Sequence, residues 1–263
     1  MGFRNVFGIA VAAFVIVGAV GWLGNMPKPA PADVATLTAA QSAGVVALPG
    51  DPEADATGDG AEAASASSAS SLASKTDGVV SGTWLVATAT ATGIPPRVLQ
   101  AYAAAAVVTA TANPSCGVSW NTIAAIGMIE SGNGTHDGAH IGPSGQLVGS
   151  IIGPALDGTA YAAAPDTDDG AWDGDKKWDR AVGPLQFLPS SWATSGVDGN
   201  GDGKADPNQI DDAALTAAQY LCAAGGQLTT PDGWTLAVLA YNHDDDYVDR
   251  VRTQANDYAR EAG

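Results

Sequence analysis

Residues 119–134 read SWNTIAAIGMIESGNG, and the rest of the chain is arranged about them. Ile123, Ile126 and Ile129 recur at helical spacing, with Ala124, Ala125 and Met128 between them. Ser119 stands where an N-cap belongs, and Gly132 and Gly134 break the pattern. The spacing predicts a buried helix that carries a single acid, Glu130, on its last turn. Apolar surroundings and the negative end of the helix dipole both disfavour a carboxylate there, so the pKa should rise. A raised carboxyl is what a general acid working near neutral pH requires. On pattern alone an ordinary exposed or salt-bridged glutamate fits as well, since ionic networks also perturb acids.

Composition narrows the setting. The chain has 263 residues, enough for one or two domains, and a formal net charge of −17. Clustered Lys and Arg for phosphate binding are lacking, which argues against a nucleic-acid partner and against adhesion to anionic lipid through a basic patch. Glutamate occurs only at Glu53, Glu62, Glu130 and Glu261, and aspartate carries nearly all the other negative charge. Cys116 and Cys222 are the two cysteines. In an exported chain they are expected to pair; two separate buried thiols are the alternative.

Residues 6–23, VFGIAVAAFVIVGAVGWL, form an uncharged apolar run behind Arg4. Its length lies between a signal-peptide core and a minimal membrane span, so residues 1–23 are expected to be an uncleaved N-terminal anchor, with cleavage as the alternative. Residues 24–80 are rich in Ala, Ser, Pro, Gly and Asp, and too poor in aromatics to offset chain entropy; they read as a flexible tether. Residues 81–263 carry the catalytic pattern. Residues 83–92 read as a short approach segment. Helices are expected over 97–112, 190–195, 211–224, 232–241 and 247–259. A long Gly/Asp-rich excursion spans 135–179, where Trp172 and Trp178 either stack on sugar faces or pack the loop down. No strand-and-turn alternation of any length appears, so the fold class is all-α with long irregular loops.

Residues 197–212, VDGNGDGKADPNQIDD, give a second signal. Asp198, Asn200 and Asp202, then Gly203 and the carbonyl of Lys204, follow the order of oxygen ligands in an EF-hand calcium loop. The twelfth position is Gln209 rather than a bidentate Glu, and a loop enlarged to Asp212 would supply the missing carboxylate. Asp206 is placed to bind through water. A solvated acidic turn is the alternative. His136, His140 and His243 fit no zinc spacing, and neither a G-x-S-x-G elbow nor a phosphate-binding glycine loop is present. What remains is one acid, a Gln-bearing turn at 183–187 and a Tyr241-Asn242 pair. Amide and aromatic side chains of this kind suit sugar hydroxyls, acetamido groups and ring faces.

IESGNG around Glu130, GPLQF at 183–187 and AYN at 240–242 occur in that order. Together they resemble the lytic murein transglycosylases of lysozyme-like fold. DGNGDGKADP with DDAALTAAQYL behind it is similar to the B-type branch, which carries an EF-hand-like calcium loop. The resemblance covers roughly residues 93–259 and implies a lysozyme-like all-α fold with peptidoglycan as substrate. It implies that Glu130 is the sole acid/base: it protonates the glycosidic oxygen between N-acetylmuramic acid and N-acetylglucosamine, then draws a proton from the muramyl C6 hydroxyl to give a 1,6-anhydro product. Usual glycosidases need two carboxylates; here the substrate's acetamido group is implied to take the second role. The resemblance further implies that Ser131, Gln186, Phe187, Tyr241 and Asn242 line the sugar cleft, and that Asp198, Asn200, Asp202, the Lys204 carbonyl and Asp212 hold a structural Ca2+. The expected location is outside the cytoplasm, at the cell envelope. Two rivals stay open: a muramidase-type hydrolase of the same fold using Asp173 or Asp179 to activate water, and a catalytically idle wall-binding module.

Overall fold

The computed structural model of the protein describes residues 80–263. The anchor expected at 1–23 and the tether expected at 24–80 lie outside the described residues, apart from Val80, which packs at the edge of the core. No helix among the described residues is long and apolar enough to cross a membrane.

Seven α-helices make up the described part: α1 Gly82–Thr92, α2 Pro96–Ala112, α3 Trp120–Ser131, α4 Pro189–Ser195, α5 Ile210–Gly225, α6 Pro231–Tyr241 and α7 Asp245–Ala262. The class is all-α, as the sequence indicates. The segment at 83–92, read as a short approach segment, is a helix; Trp84 meets Trp120 edge to face at 5.6 Å and anchors it. The excursion between α3 and α4 holds a 3-10 turn at His136–Gly138 and a two-stranded antiparallel ribbon, β1 His140–Ile141 and β2 Leu147–Val148, in register His140 to Val148. Its short strands escape a sequence reading because period-2 alternation needs more than two residues to register.

The core is layered by small residues. Helix α2 packs on α5, α5 on α6, and α3 on α7. Ala101, Ala103, Ala104 and Ala105 of α2 are buried, as are Ala213, Ala214, Ala217 and Ala218 of α5, which lets their backbones approach closely. Gly127 serves the same end inside α3: a Cβ there would run into the Tyr102 hydroxyl. That hydroxyl donates to Asn133 Oδ1 (3.2 Å), and Asn133 Nδ2 donates to Tyr258 Oη (3.1 Å), so a buried polar chain ties α2 and α7 to the turn after α3. Asn121 Nδ2 of α3 donates to the Ala255 carbonyl of α7 (3.0 Å). Burying these groups with partners avoids the cost of leaving them unsatisfied.

A disulfide joins Cys116, in the loop before α3, to Cys222 on α5, with Cα atoms 5.4 Å apart. This lies within the usual span for such a bond. Across the molecule Arg97 of α2 forms an ion pair with Asp211 at the start of α5 and donates to the Pro143 carbonyl of the excursion (3.3 Å). Helix α5 is thereby fixed to α2 and to the loop before α3 at two separate points.

Candidate active site

Helix α3 delivers Glu130. Ser119 occupies the N-cap position, but its hydroxyl pairs with Thr122 Oγ1 (3.0 Å) rather than with a backbone N–H. Ten of the residues of α3 are buried, so the helix is apolar nearly all round and its end lies inside the protein. Gly132 terminates it in the left-handed conformation at φ 61°, where only a residue without a Cβ is unstrained. The Glu130 side chain is therefore held where the chain must turn, 7% exposed.

Burial pushes the Glu130 carboxyl up to about 8; a hydrogen bond from Tyr247 and the charge of Arg250 pull against it and lose. Tyr247 Oη donates to Glu130 Oε1 at 2.6 Å. Tyr247 lies in the first turn of α7, and burial holds its own phenol well above its ordinary value, so it acts as a neutral donor. The sequence reading missed Tyr247. Its one signal was a tyrosine on the buried face of an amphipathic helix, which is indistinguishable from a core residue until α7 is docked on α3.

The turn at 183–187 is fastened to the end of α3. Ser131 Oγ donates to the Pro184 carbonyl (2.6 Å) and accepts from Gly134 N (2.8 Å), so Ser131 is a clamp between two loops. Gly183 has φ 77°, and a Cβ there would strike the Pro207 carbonyl. Gln186 takes φ 50°, uncommon for a residue with a side chain. Its Nε2 donates to the Gly183 carbonyl (2.9 Å) and to the Ile151 carbonyl (3.3 Å), which holds the turn in that shape.

Phe187 and Tyr241 are buried beneath this turn. Phe187 meets Trp192 at 5.3 Å and Tyr241 at 5.7 Å, edge to face in both cases, and Tyr241 Oη donates to the Leu185 carbonyl (2.7 Å). Asn242 caps α6 at 2% exposure. Glu130, Ser131, Gln186, Phe187, Tyr241 and Asn242 are thus all buried in this structure, and Ser131, Gln186, Phe187 and Tyr241 fix the turn beside the acid through the contacts given.

The loop before α5 is oxygen-lined. Asp212 is fully buried; its Oδ1 accepts from Gly199 N (2.8 Å) and Asn200 N (3.1 Å), and its Oδ2 from Asp206 N (2.9 Å). Burial pushes its carboxyl up to about 6 against those bonds. Asp198 accepts from Gly201, Asp202 and Gly203, and Asn200 Oδ1 from Asp202. Gln209 does not face the loop interior: it caps α5 by accepting from Asp211 N and donates to the Ser144 carbonyl (3.3 Å). Asp211 is engaged by Arg97, so of the two adjacent acids only Asp212 turns towards the loop. The donor set of Asp198, Asn200, Asp202, the Lys204 carbonyl and Asp212 contains oxygen alone, which fits a hard cation such as Ca2+.

In the excursion, Asp166, Asp168 and Asp179 bring carboxylate oxygens within 4.8 Å of one another, a grouping not anticipated from the sequence. Asp168 and Asp179 accept with both oxygens from neighbouring groups: Asp168 from Gly170 N and Trp172 N, Asp179 from Thr167 N and Oγ1. The cluster folds the loop. Asp173 likewise accepts with both oxygens, from Asp175 N (2.9 Å) and Arg180 N (2.7 Å). Trp172 packs against the core with Lys204 Nζ 5.1 Å from its ring, tying the excursion to the oxygen-lined loop, and half-buried Trp178 pairs with Pro165 in an isolated bridge.

A family model described as a transglycosylase SLT domain matches residues 162–261. The match covers 100 of the 263 residues and says what that segment is similar to. It includes Gln186, Phe187, the oxygen-lined loop, Tyr241, Asn242 and Tyr247; Glu130 and Ser131 precede it and meet it in space. No curated protein and no solved structure gave a match.

Proposed function

We propose that the protein is a peptidoglycan lytic transglycosylase that cleaves the β-1,4 bond between N-acetylmuramic acid and N-acetylglucosamine and releases a 1,6-anhydromuramyl end. The observation that carries this reading is a solitary buried glutamate, raised to about 8 and oriented by a neutral tyrosine. A carboxyl that is still protonated near neutral pH donates to the glycosidic oxygen as the bond breaks. Once ionised, the same oxygen accepts the proton of the muramyl C6 hydroxyl as that oxygen closes on C1, so no water is consumed. The Tyr247 hydrogen bond stabilises the carboxylate between the two steps. The proposed sugar cleft is formed by Ser131, Gln186, Phe187, Tyr241 and Asn242, with the buried aromatics as the floor that sets the shape of the turn.

The hydrolytic rival needs a carboxylate free to activate water. Asp173 and Asp179 are both used to fold the excursion, bonding to Asp175, Arg180 and Thr167, which gives each a role without water activation. We further propose that Ca2+ is held by Asp198, Asn200, Asp202, the Lys204 carbonyl and Asp212, where it rigidifies the loop and takes no part in the chemistry. The site of action is proposed to be the cell envelope, outside the cytoplasm. The apolar run at 6–23 supports an anchor or a cleaved leader there, and a disulfide is at home in that compartment.

Digestion of purified peptidoglycan by the full chain, followed by mass spectrometry of the products, tests the reading. Anhydromuramyl ends that vanish in Glu130→Gln are expected. Reducing ends would reassign the protein as a hydrolase, and an unchanged Glu130→Gln phenotype would reassign it as a binding module.

A further inference from the structure

Helix α7 brings two side chains to bear on the acid. Tyr247 and Arg250 are three residues apart and so share one face of the helix. Tyr247 is buried and donates to Glu130. Arg250 is exposed, and its guanidinium carbon Cζ stands 5.7 Å from the centroid of the Tyr247 ring. A cation over the face of a phenol is drawn to the negative face of its quadrupole. The order from solvent to core is therefore guanidinium, aromatic ring, hydroxyl, carboxyl.

Arg250 differs from the other arginines of the domain. Arg97, Arg180, Arg252 and Arg260 each form an ion pair with an aspartate. Among the described residues Arg250 has no such partner, although Asp244, Asp245, Asp246 and Asp249 stand at the same end of α7. Asp249 is taken by Arg252, and Asp244 caps the helix by accepting from Asp246 N (2.9 Å). In a chain of net charge −17, this one guanidinium is left on an aromatic ring rather than on a carboxylate.

The other groups facing Glu130 are uncharged. Burial holds the phenols of Tyr241 on α6, Tyr247 on α7 and Tyr102 on α2 above their ordinary values, and the turn at 183–187 carries no titratable side chain. Arg250 is thus the one formal charge among the described residues whose field reaches the carboxyl, and it favours the ionised form. A guanidinium stays charged across the working range of any carboxyl, so this influence is constant.

We infer that Arg250 is a positioning residue for the proposed reaction: held on the face of Tyr247, it strengthens the hydrogen bond which that tyrosine gives to Glu130 and so steadies the carboxylate between its two proton transfers. The cation draws electron density from the phenol ring, which makes the O–H a better donor. In this role Arg250 touches neither substrate nor reacting atoms. The inference rests on Glu130 being the acid/base proposed above.

The glutamates of the chain are Glu53, Glu62, Glu130 and Glu261, few enough for their side-chain carboxyls to be titrated individually by NMR in the full chain labelled with carbon-13 at glutamate. Glu130→Gln identifies the signal. Arg250 is exposed and makes only the ring contact, so its variants are expected to fold. Arg250→Gln is expected to move the midpoint of Glu130 upward, on the order of half a pH unit, and to leave Glu261 in place. Arg250→Lys keeps a cation there and is expected to stay close to wild type. In a Tyr247→Phe background the effect of Arg250→Gln is expected to shrink, because the hydroxyl that relays it is gone. On peptidoglycan, Arg250→Gln is expected to lower kcat about threefold at unchanged KM and to carry the alkaline limb upward with the midpoint. An unmoved Glu130 midpoint in Arg250→Gln, an equal movement in Arg250→Lys, or an undiminished effect without the Tyr247 hydroxyl would overturn the inference. A midpoint that moves as expected in a protein that cleaves no glycan would uphold the contact and remove the function proposed above, so the two failures are told apart.

Discussion

Glu130 is costly to the fold, and that cost is measurable. Its carboxyl titrates near 8 in the folded protein and near 4.3 in an unfolded chain, as model peptides do, so between those values the folded state binds more protons. Stability contributed by this group therefore falls as pH rises through that window. Glu130→Gln is expected to raise the melting temperature at pH 8 relative to wild type, with the gain disappearing near pH 4; equal melting curves at both pH values would show that the carboxyl is not held protonated. The same variant should lower turnover on peptidoglycan by on the order of 10²–10⁴-fold. Tyr247→Phe removes a donor that favours the carboxylate, so the Glu130 pKa should climb further and the alkaline limb of the activity profile should move to higher pH, with a reduced kcat; a profile that stays in place would mean the 2.6 Å bond does not tune the acid. Glu130 was legible in the sequence because an isolated acid at the end of an apolar helix contradicts its surroundings. Tyr247 was not, because its role exists only across a contact 117 residues long in sequence.

Elements with strong caps and periodic apolar faces were legible to within a residue or two. Helix α5 begins at Ile210 and ends at Gly225, α6 ends at Tyr241, and α2 ends at Ala112, each beside the turn residue that stops it. Helix α1 escaped because Ala and Thr alternate along its second half, where Thr88 and Ala89 are the only buried residues of the helix. The excursion was legible as irregular, but its ribbon and the extended stretch at 151–153 depend on pairing with Gln209 and Val182 far along the chain. The oxygen-lined loop was legible by spacing. Spacing named Asp212 as the acid that would close it, and Arg97 engages the neighbouring Asp211. If the loop holds Ca2+, adding the ion should raise the melting temperature and a chelator should reverse the gain. Asp212→Ala should abolish this response, and a calcium response that persists in that variant would place the ion elsewhere.

Across the whole molecule, the disulfide and the Arg97–Asp211 pair brace the packing of α2 and α3 on α5. Cys116 and Cys222 are separated by 106 residues in sequence, so their bond removes much freedom from the unfolded chain. In the chain-entropy model that is worth roughly 4–5 kcal/mol. Reduction, or replacement of both cysteines by serine, is expected to lower the melting temperature on the order of ten degrees. A shift of a degree or less would mean the helices hold their places unaided. The contact between α3 and α7 has a different consequence, one of timing. On a ribosome or a translocation channel the acid emerges long before its tyrosine, and every helix between them must be threaded before the two can meet. If Glu130 does the chemistry proposed above, a nascent chain carries it inert, and a protease that trims α7 from the finished protein removes the tyrosine without touching the acid itself.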